Sequence, residues 1–267
     1  MNYRTFSLIT IITCTLLLSC AGSKHKKLLK SQDHDAKYEA AVKSFEKEDY
    51  FHATQLFENL ILYYRGRDKA ENVNLYYAKS LLGSKDYYSA GYQFENFTRW
   101  FPYSKDAEYA LFQAAYCKYI ESPKHSLDQT LTKESLKQFQ SYIDKYPHSE
   151  NVKKANQYMD ELRGKLIKKD YETAYNYFKT GKYQSAQFAL KNFLNEYPDA
   201  PNREDAMYFI IIAGYEFAKN SIEDKRIERL KWVISDYEKF LAFYPESKKI
   251  KELETINNLC LTELNKI

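Results

Sequence analysis

Tyr50-Phe51-His52-Ala53-Thr54-Gln55-Leu56-Phe57-Glu58-Asn59 aligns without a gap on Tyr87-Tyr88-Ser89-Ala90-Gly91-Tyr92-Gln93-Phe94-Glu95-Asn96 and on Tyr183-Gln184-Ser185-Ala186-Gln187-Phe188-Ala189-Leu190-Lys191-Asn192. In each segment tyrosine and alanine recur three apart, and a large apolar residue follows the alanine four later. The first segment runs on into Leu60, Ile61 and Tyr64, so that Ala53, Leu56, Phe57, Leu60, Ile61 and Tyr64 form one stripe at helical spacing. Ala186, Ala189, Leu190, Phe193, Leu194 and Tyr197 repeat those offsets, as do Ala206, Phe209, Ile210, Ala213, Gly214 and Phe217. A stripe of period 3.6 is an amphipathic helix with one face to bury.

A second ladder closes these helices: Phe101-Pro102-Tyr103-Ser104, Tyr146-Pro147-His148-Ser149, Tyr197-Pro198-Asp199-Ala200 and Tyr244-Pro245-Glu246-Ser247. The aromatic residue completes the apolar face and the proline stops the helix. Ser104, Ser149 and Ser247 are expected to cap the next helix. Pairing the helices gives five hairpins, about 36–64, 70–101, 105–146, 151–197 and 202–244, and a last helix over 248–266. The fold class is therefore all-α, a tetratricopeptide-like (TPR-like) α-solenoid of about five helix hairpins with a C-terminal capping helix. Ala53, Ala90 and Ala186 mark close helix approaches. One long helix is expected between Glu150 and Lys179, interrupted only by Gly164, and an insertion over 122–130 lengthens the turn of the third hairpin.

The N-terminus reads differently. Met1 to Thr5 carries one charge, at Arg4, and Phe6 to Leu18 is an apolar run too short for a permanent span. That is a secretory leader, and Leu17-Leu18-Ser19-Cys20 resembles the bacterial lipobox, in which the cysteine receives lipid. Ala21 in place of aspartate favours the outer membrane, facing the periplasm. The expected organisation is a leader over 1–19, a flexible lipidated tether over 20–35 able to reach about 50 Å when extended, and a repeat body over 36–267 with halves 36–149 and 150–267.

Composition narrows the function. Hydrophobic residues make up 44% and charged residues 28%, with a net charge of +4 that implies neither nucleic acid nor a strongly acidic partner. The five histidines are scattered, with no cysteine or carboxylate at metal-ligand spacing. No Gly-x-Ser-x-Gly turn, phosphate loop or His-Glu-x-x-His helix occurs, so no catalytic, metal or cofactor group is expected beyond the covalent lipid on Cys20. Cys117 and Cys260 fall several helices apart and are expected as buried free thiols. The 26 tyrosines are an unusual share, and the aromatics of the stripes and the pre-proline positions are read as filling inter-helix space. Those off the stripe, Tyr63, Tyr76, Tyr88 and Tyr103, are candidate groove-lining contacts. Asp128 in the insertion is another candidate. On the fourth hairpin Gln184, Gln187, Lys191 and Asn195 form a polar stripe, and Asn195 with Glu196 borders a loop beside Arg203; Gln187, Asn195, Glu196 and Arg203 are candidate docking residues.

The lipobox, the five hairpins and the aromatic-proline ends occur together with Leu28-Leu29-Lys30-Ser31, Leu62-Tyr63-Tyr64-Arg65-Gly66, the Ser122-Pro123 to Thr130 insertion and Asp160-Glu161-Leu162-Arg163. In that order they resemble the BamD family of β-barrel assembly lipoproteins, in its Bacteroidetes-type form. The resemblance implies a non-enzymatic scaffold at the outer membrane that docks on the periplasmic domains of the BamA-type barrel insertase and helps receive unfolded outer-membrane proteins. It also implies a substrate groove around residues 36–101 and a docking surface around 183–245. Asn195-Glu196 departs from the more basic residue of some relatives. Two other classes fit the residues: a TPR lipoprotein serving envelope or peptidoglycan synthesis, and a glycan-binding lipoprotein that stacks sugars on its tyrosines.

Overall fold

The computed structural model describes residues 24–266, so the leader and Cys20 lie outside the described residues. Twelve helices occur there and no strand: α1 (24–30), α2 (His34–Glu46), α3 (Tyr50–Tyr64), α4 (Ala70–Gly83), α5 (Tyr87–Trp100), α6 (Ala107–Glu121), α7 (Thr130–Lys145), α8 (Val152–Lys179), α9 (Tyr183–Glu196), α10 (Arg203–Lys219), α11 (Glu223–Phe243) and α12 (Ile250–Leu264). From α2 onward they pair as the five hairpins read from the stripes, with α12 as the final helix. All-helical TPR-like architecture follows directly. The chain divides into two units, one running to Pro123 and resuming over Gln129–Leu162, the other comprising Lys124–Asp128 and Arg163–Ile267. The division thus falls inside α8, at Leu162, where the sequence pattern placed it at the start of that helix.

Three hairpin turns share one backbone device. Glu48, Lys85 and Gly181 have φ of 59°, 62° and 71°, and each turn carries the paired hydrogen bonds of a Schellman end, such as Glu48 N–H to Phe45 O and Asp49 N–H to Ser44 O. Asp49 and Asp86 then cap α3 and α5, accepting from the His52 and Ser89 amides. A helix end and a helix start are compressed into three residues, which lets the two stripes face each other.

At the aromatic-proline ends the serines do something other than expected. Ser104, Ser149 and Ser247 accept from the amides of Asp106, Asn151 and Lys249, two residues on, before the next helix begins. Their hydroxyls also tie the turn to a neighbouring hairpin. Ser104 donates to Glu71 and Ser247 to Glu204, both at 2.6 Å, while Ser149 pairs with Tyr142, which donates to Glu108. Each acid lies in the first turn of a helix, where its charge also suits the helix dipole.

The stripes fill the cores as read. Ala53, Leu56, Phe57, Leu60 and Tyr64 are buried on α3, and Ala186, Leu190 and Phe193 on α9. Phe57, Phe94 and Phe240 are fully enclosed; removing such a ring costs about 3–5 kcal/mol. α10 is broader than its stripe, because Met207, Ile211 and Ala218 are buried beside Ala206, Ile210, Ala213 and Gly214. An inner helix must face both its own partner and the next hairpin. Cys117 and Cys260 are buried free thiols, and burial pushes each up to about 12.

The tether is shorter than its composition suggests. Residues 24–30 form α1, whose Leu28 and Leu29 pack on the first core and whose His25 Nε2 lies 2.8 Å from Gln55 Oε1. His25, Leu28 and Leu29 are spaced as one helical face, so this segment is docked and not a free coil. Among the described residues no helix is long and apolar enough to cross a membrane.

Candidate functional site

The second unit carries an open groove between α9 and α11, floored by α10. Two adjoining cavities of about 300 and 380 Å³ make it up, sharing Lys191, Asp236 and Lys239. Phe188, Trp232 and Phe243 line it while 70%, 46% and 59% exposed. Lys191 Nζ lies 2.8 Å from Asp236 Oδ2 across the groove, and Lys239 Nζ lies 3.7 Å from the other Asp236 oxygen. Asp236 is itself mostly buried. Arg203 closes one end with its guanidinium 4.8 Å from the Phe243 ring centre and an Nη1–H donated to Pro198 O. Three cations against one carboxylate leave the groove basic.

The first unit has a groove of the same construction between α5 and α7, floored by α6, with a cavity of about 140 Å³. Tyr88 and Tyr92 stand 75% and 58% exposed on its wall. Lys118 Nζ sits 2.8 Å from both Glu95 and Glu134. Partial burial works against the Lys118 charge, and the two carboxylates overcome it, so its pKa is raised. Glu121 adds a further acid, and Gln138 donates to Glu95. At the floor Gly91 lies against Cys117, where a Cβ would come within 3.0 Å of the cysteine Cβ.

The two grooves are related position by position. The alignment that matched Tyr87 to Tyr183 also matches Tyr92 to Phe188 and Glu95 to Lys191, and it continues through Glu108 with Glu204 on the floor helices. Around the later prolines Gln138 matches Asp236, so the Glu95–Gln138 and Lys191–Asp236 contacts are one wall-to-wall link made twice. Leu162 on α8 and Cys260 on α12, both buried, occupy matching places in the helix that ends each unit. Aromatic exposure is retained at the repeated position while the sign of the charge is reversed.

The residues singled out from sequence divide accordingly. Tyr88 lines the first groove, and Asn195 and Arg203 the second. Tyr103 is 99% exposed, and Glu196 and Asp128 are exposed, but none of the three lines a groove. Tyr63 is engaged within the chain: its ring stacks 3.6 Å from His34, with the Arg67 guanidinium 4.1 Å away. Tyr76 belongs to the core, stacked at 5.5 Å on Phe57. Gln187 lines the second groove from its floor side, only 8% exposed and pointing its amide at Ile210 O of α10. A polar residue on a helix flank can be drawn inward where the facing residue is glycine, here Gly214. Sequence reasoning passed over Phe188, Trp232 and Asp236. Phe188 was detectable, since a large apolar residue there falls outside the stripe of its own helix.

Comparison with known proteins places the chain among outer-membrane lipoproteins. The profile of the outer membrane lipoprotein family (YfiO) matches residues 30–186 and 170–259. A curated relative from Aquifex aeolicus (strain VF5), named as outer membrane protein assembly factor BamD, is 25% identical over 259 residues, spanning 96% of this chain and 82% of that protein. A solved structure of kinesin light chain TPR-like repeats from Podosopora anserina covers 80% of this chain and 96% of its own at 11% identity, with a TM-score of 0.34. At that score the TPR-like fold rests on the hairpins themselves. With the family profile matched from the end of α1 into α12, the chain belongs to the outer membrane lipoprotein family.

Proposed function

We propose that this protein is a non-catalytic scaffold of outer-membrane protein assembly, held to the membrane by lipid on Cys20 and facing the periplasm. The basic groove of α9–α11 docks on a periplasmic domain of a BamA-type barrel insertase, and the first unit contacts unfolded outer-membrane proteins. The observation that carries this reading is the duplicated groove: one construction, exposed aromatics at the same register, and opposite charge. Two surfaces of unlike charge suit a protein that holds two different partners. Family membership and the likeness to an assembly factor support the same assignment. Asn195 and Arg203 belong to the docking groove, and Tyr88 with Tyr92 to the client groove; aromatic anchors in open pockets are where binding energy concentrates.

The test is site-directed photocrosslinking in intact envelopes from positions 188 and 232, with position 103 as an exposed site outside either groove. Crosslinks to the insertase from 188 and 232 are expected. Crosslinks to cell-wall enzymes without the insertase would overturn the docking assignment. For the anchor, a Cys20→Ala variant that still fractionates with the outer membrane counts against lipidation.

A further inference from the structure

α1 carries four lysines, Lys24, Lys26, Lys27 and Lys30, and from residue 24 to residue 32 the chain has no acidic residue. All four are exposed, because His25, Leu28 and Leu29 take the face that packs on the first unit. The docking point is Gln55 on α3, and two large apolar side chains flank it on the same stripe of that helix. These are Phe51, four residues before and 66% exposed, and Leu62, seven residues after and 81% exposed. Phe51 is tied to α1 by a short chain of rings: it lies 5.4 Å from His52, whose ring lies 4.1 Å from that of His25. The nearest acid on that path, Asp49, is already paired with His52 at 2.7 Å.

We infer that the outward face of α1, together with Phe51 and Leu62, is a docking surface for a leaflet of anionic phospholipid. A cationic helix face bordered by exposed apolar side chains is the composition that lies in a membrane interface, with lysines at the phosphates and the apolar groups at the acyl boundary. Chain length supports the occupant, given the reading of Cys20 as lipidated, on which this inference rests. Only Ala21 to Ser23 separate Cys20 from Lys24, so α1 begins no farther than about 14 Å from the acylated residue in any backbone conformation. At that distance the lysines meet the headgroup layer. Each contributes roughly fivefold to partitioning onto an anionic surface, an effect that salt removes as the Debye length contracts. The consequence is orientation: the lipid confines the protein and α1 sets which end of the first unit faces the bilayer.

Footprinting of the full chain reconstituted in vesicles tests this. A water-soluble amine reagent is applied on vesicles of phosphatidylcholine alone and on vesicles with about a third phosphatidylglycerol, and labelling is read by mass spectrometry. Labelling of Lys24, Lys26, Lys27 and Lys30, relative to exposed Lys231, is expected to fall at least about threefold on the anionic vesicles and to recover in concentrated salt. Equal labelling on both vesicle types overturns the inference, as does protection that occurs only when a protein copurifies, which would assign the face to an acidic protein surface. The same spectra report the mass of the peptide carrying Cys20. An unacylated peptide with salt-sensitive protection at α1 refutes the anchor while leaving the lipid-facing helix intact.

Discussion

The Tyr50 ring lies flat against Gly83, so close that a Cβ on residue 83 would fall 2.6 Å from Cγ, Cδ1 and Cε1 of the ring. Tyr50 opens α3 and Gly83 closes α4, and the ring is also held edge-on by Phe45 at 5.7 Å. A Gly83→Ala substitution therefore destabilises the first unit by about 1–3 kcal/mol, as overpacking of a well-filled site does, despite the better helix propensity of alanine. The midpoint of urea unfolding measures the loss. Adding Tyr50→Leu should recover part of it, since the clash is with the ring.

Glu48 and Lys85 occupy the left-handed position that Gly181 fills in the fourth hairpin. A side chain there costs about 1–2 kcal/mol that glycine avoids, less the extra entropy glycine gives the unfolded chain. Glu48→Gly and Lys85→Gly should each stabilise the protein by about 0.5–1 kcal/mol, and Gly181→Ala should destabilise it by a similar amount. Thermal and urea unfolding of the three variants would reveal the opposite signs.

Lys118 stands between Glu95 and Glu134. Lys118→Met leaves two like charges facing across the first groove and costs about 1 kcal/mol. Pairing it with Glu95→Gln should restore part of that loss by removing the repulsion. A double-mutant cycle reads the coupling, and an additive result would mean that the ion pairs are solvated and contribute nothing.

Alkali should unfold the protein before it reaches the pH of its buried groups. Burial first, and then nearby negative groups, push Tyr109, Tyr119 and Tyr208 from 10.0 to about 12, and Cys117 and Cys260 from 9.0 to about 12. The unfolded chain thus releases these protons earlier than the native one. Stability from this source is complete below pH 9 and is lost as pH rises through 9 to 12. Urea midpoints falling over that window, with native tyrosinate absorbance lagging that of the denatured chain, are the expected result.

What the sequence determined by itself is what depends on neighbours along one helix. Spacing of Ala53, Leu56, Phe57, Leu60 and Tyr64 fixes the face that must leave water, and proline after Phe101, Tyr146, Tyr197 and Tyr244 fixes where a helix must stop. Hairpin number, order and cores followed from those two local rules. The tertiary structure decided matters that turn on which distant residue lies opposite. Gln187 reads as a surface amide until Gly214 gives it room, Tyr76 reads as a groove residue until Phe57 stacks on it, and residues 24–30 read as a tether until Gln55 and the first core receive them. The grooves belong to the same class: Lys191 and Asp236 are 45 positions apart in the chain and 2.8 Å apart in space. Periodicity reports only whether a side chain has an inward or outward direction, whereas its partner is set by the packing of one hairpin on the next.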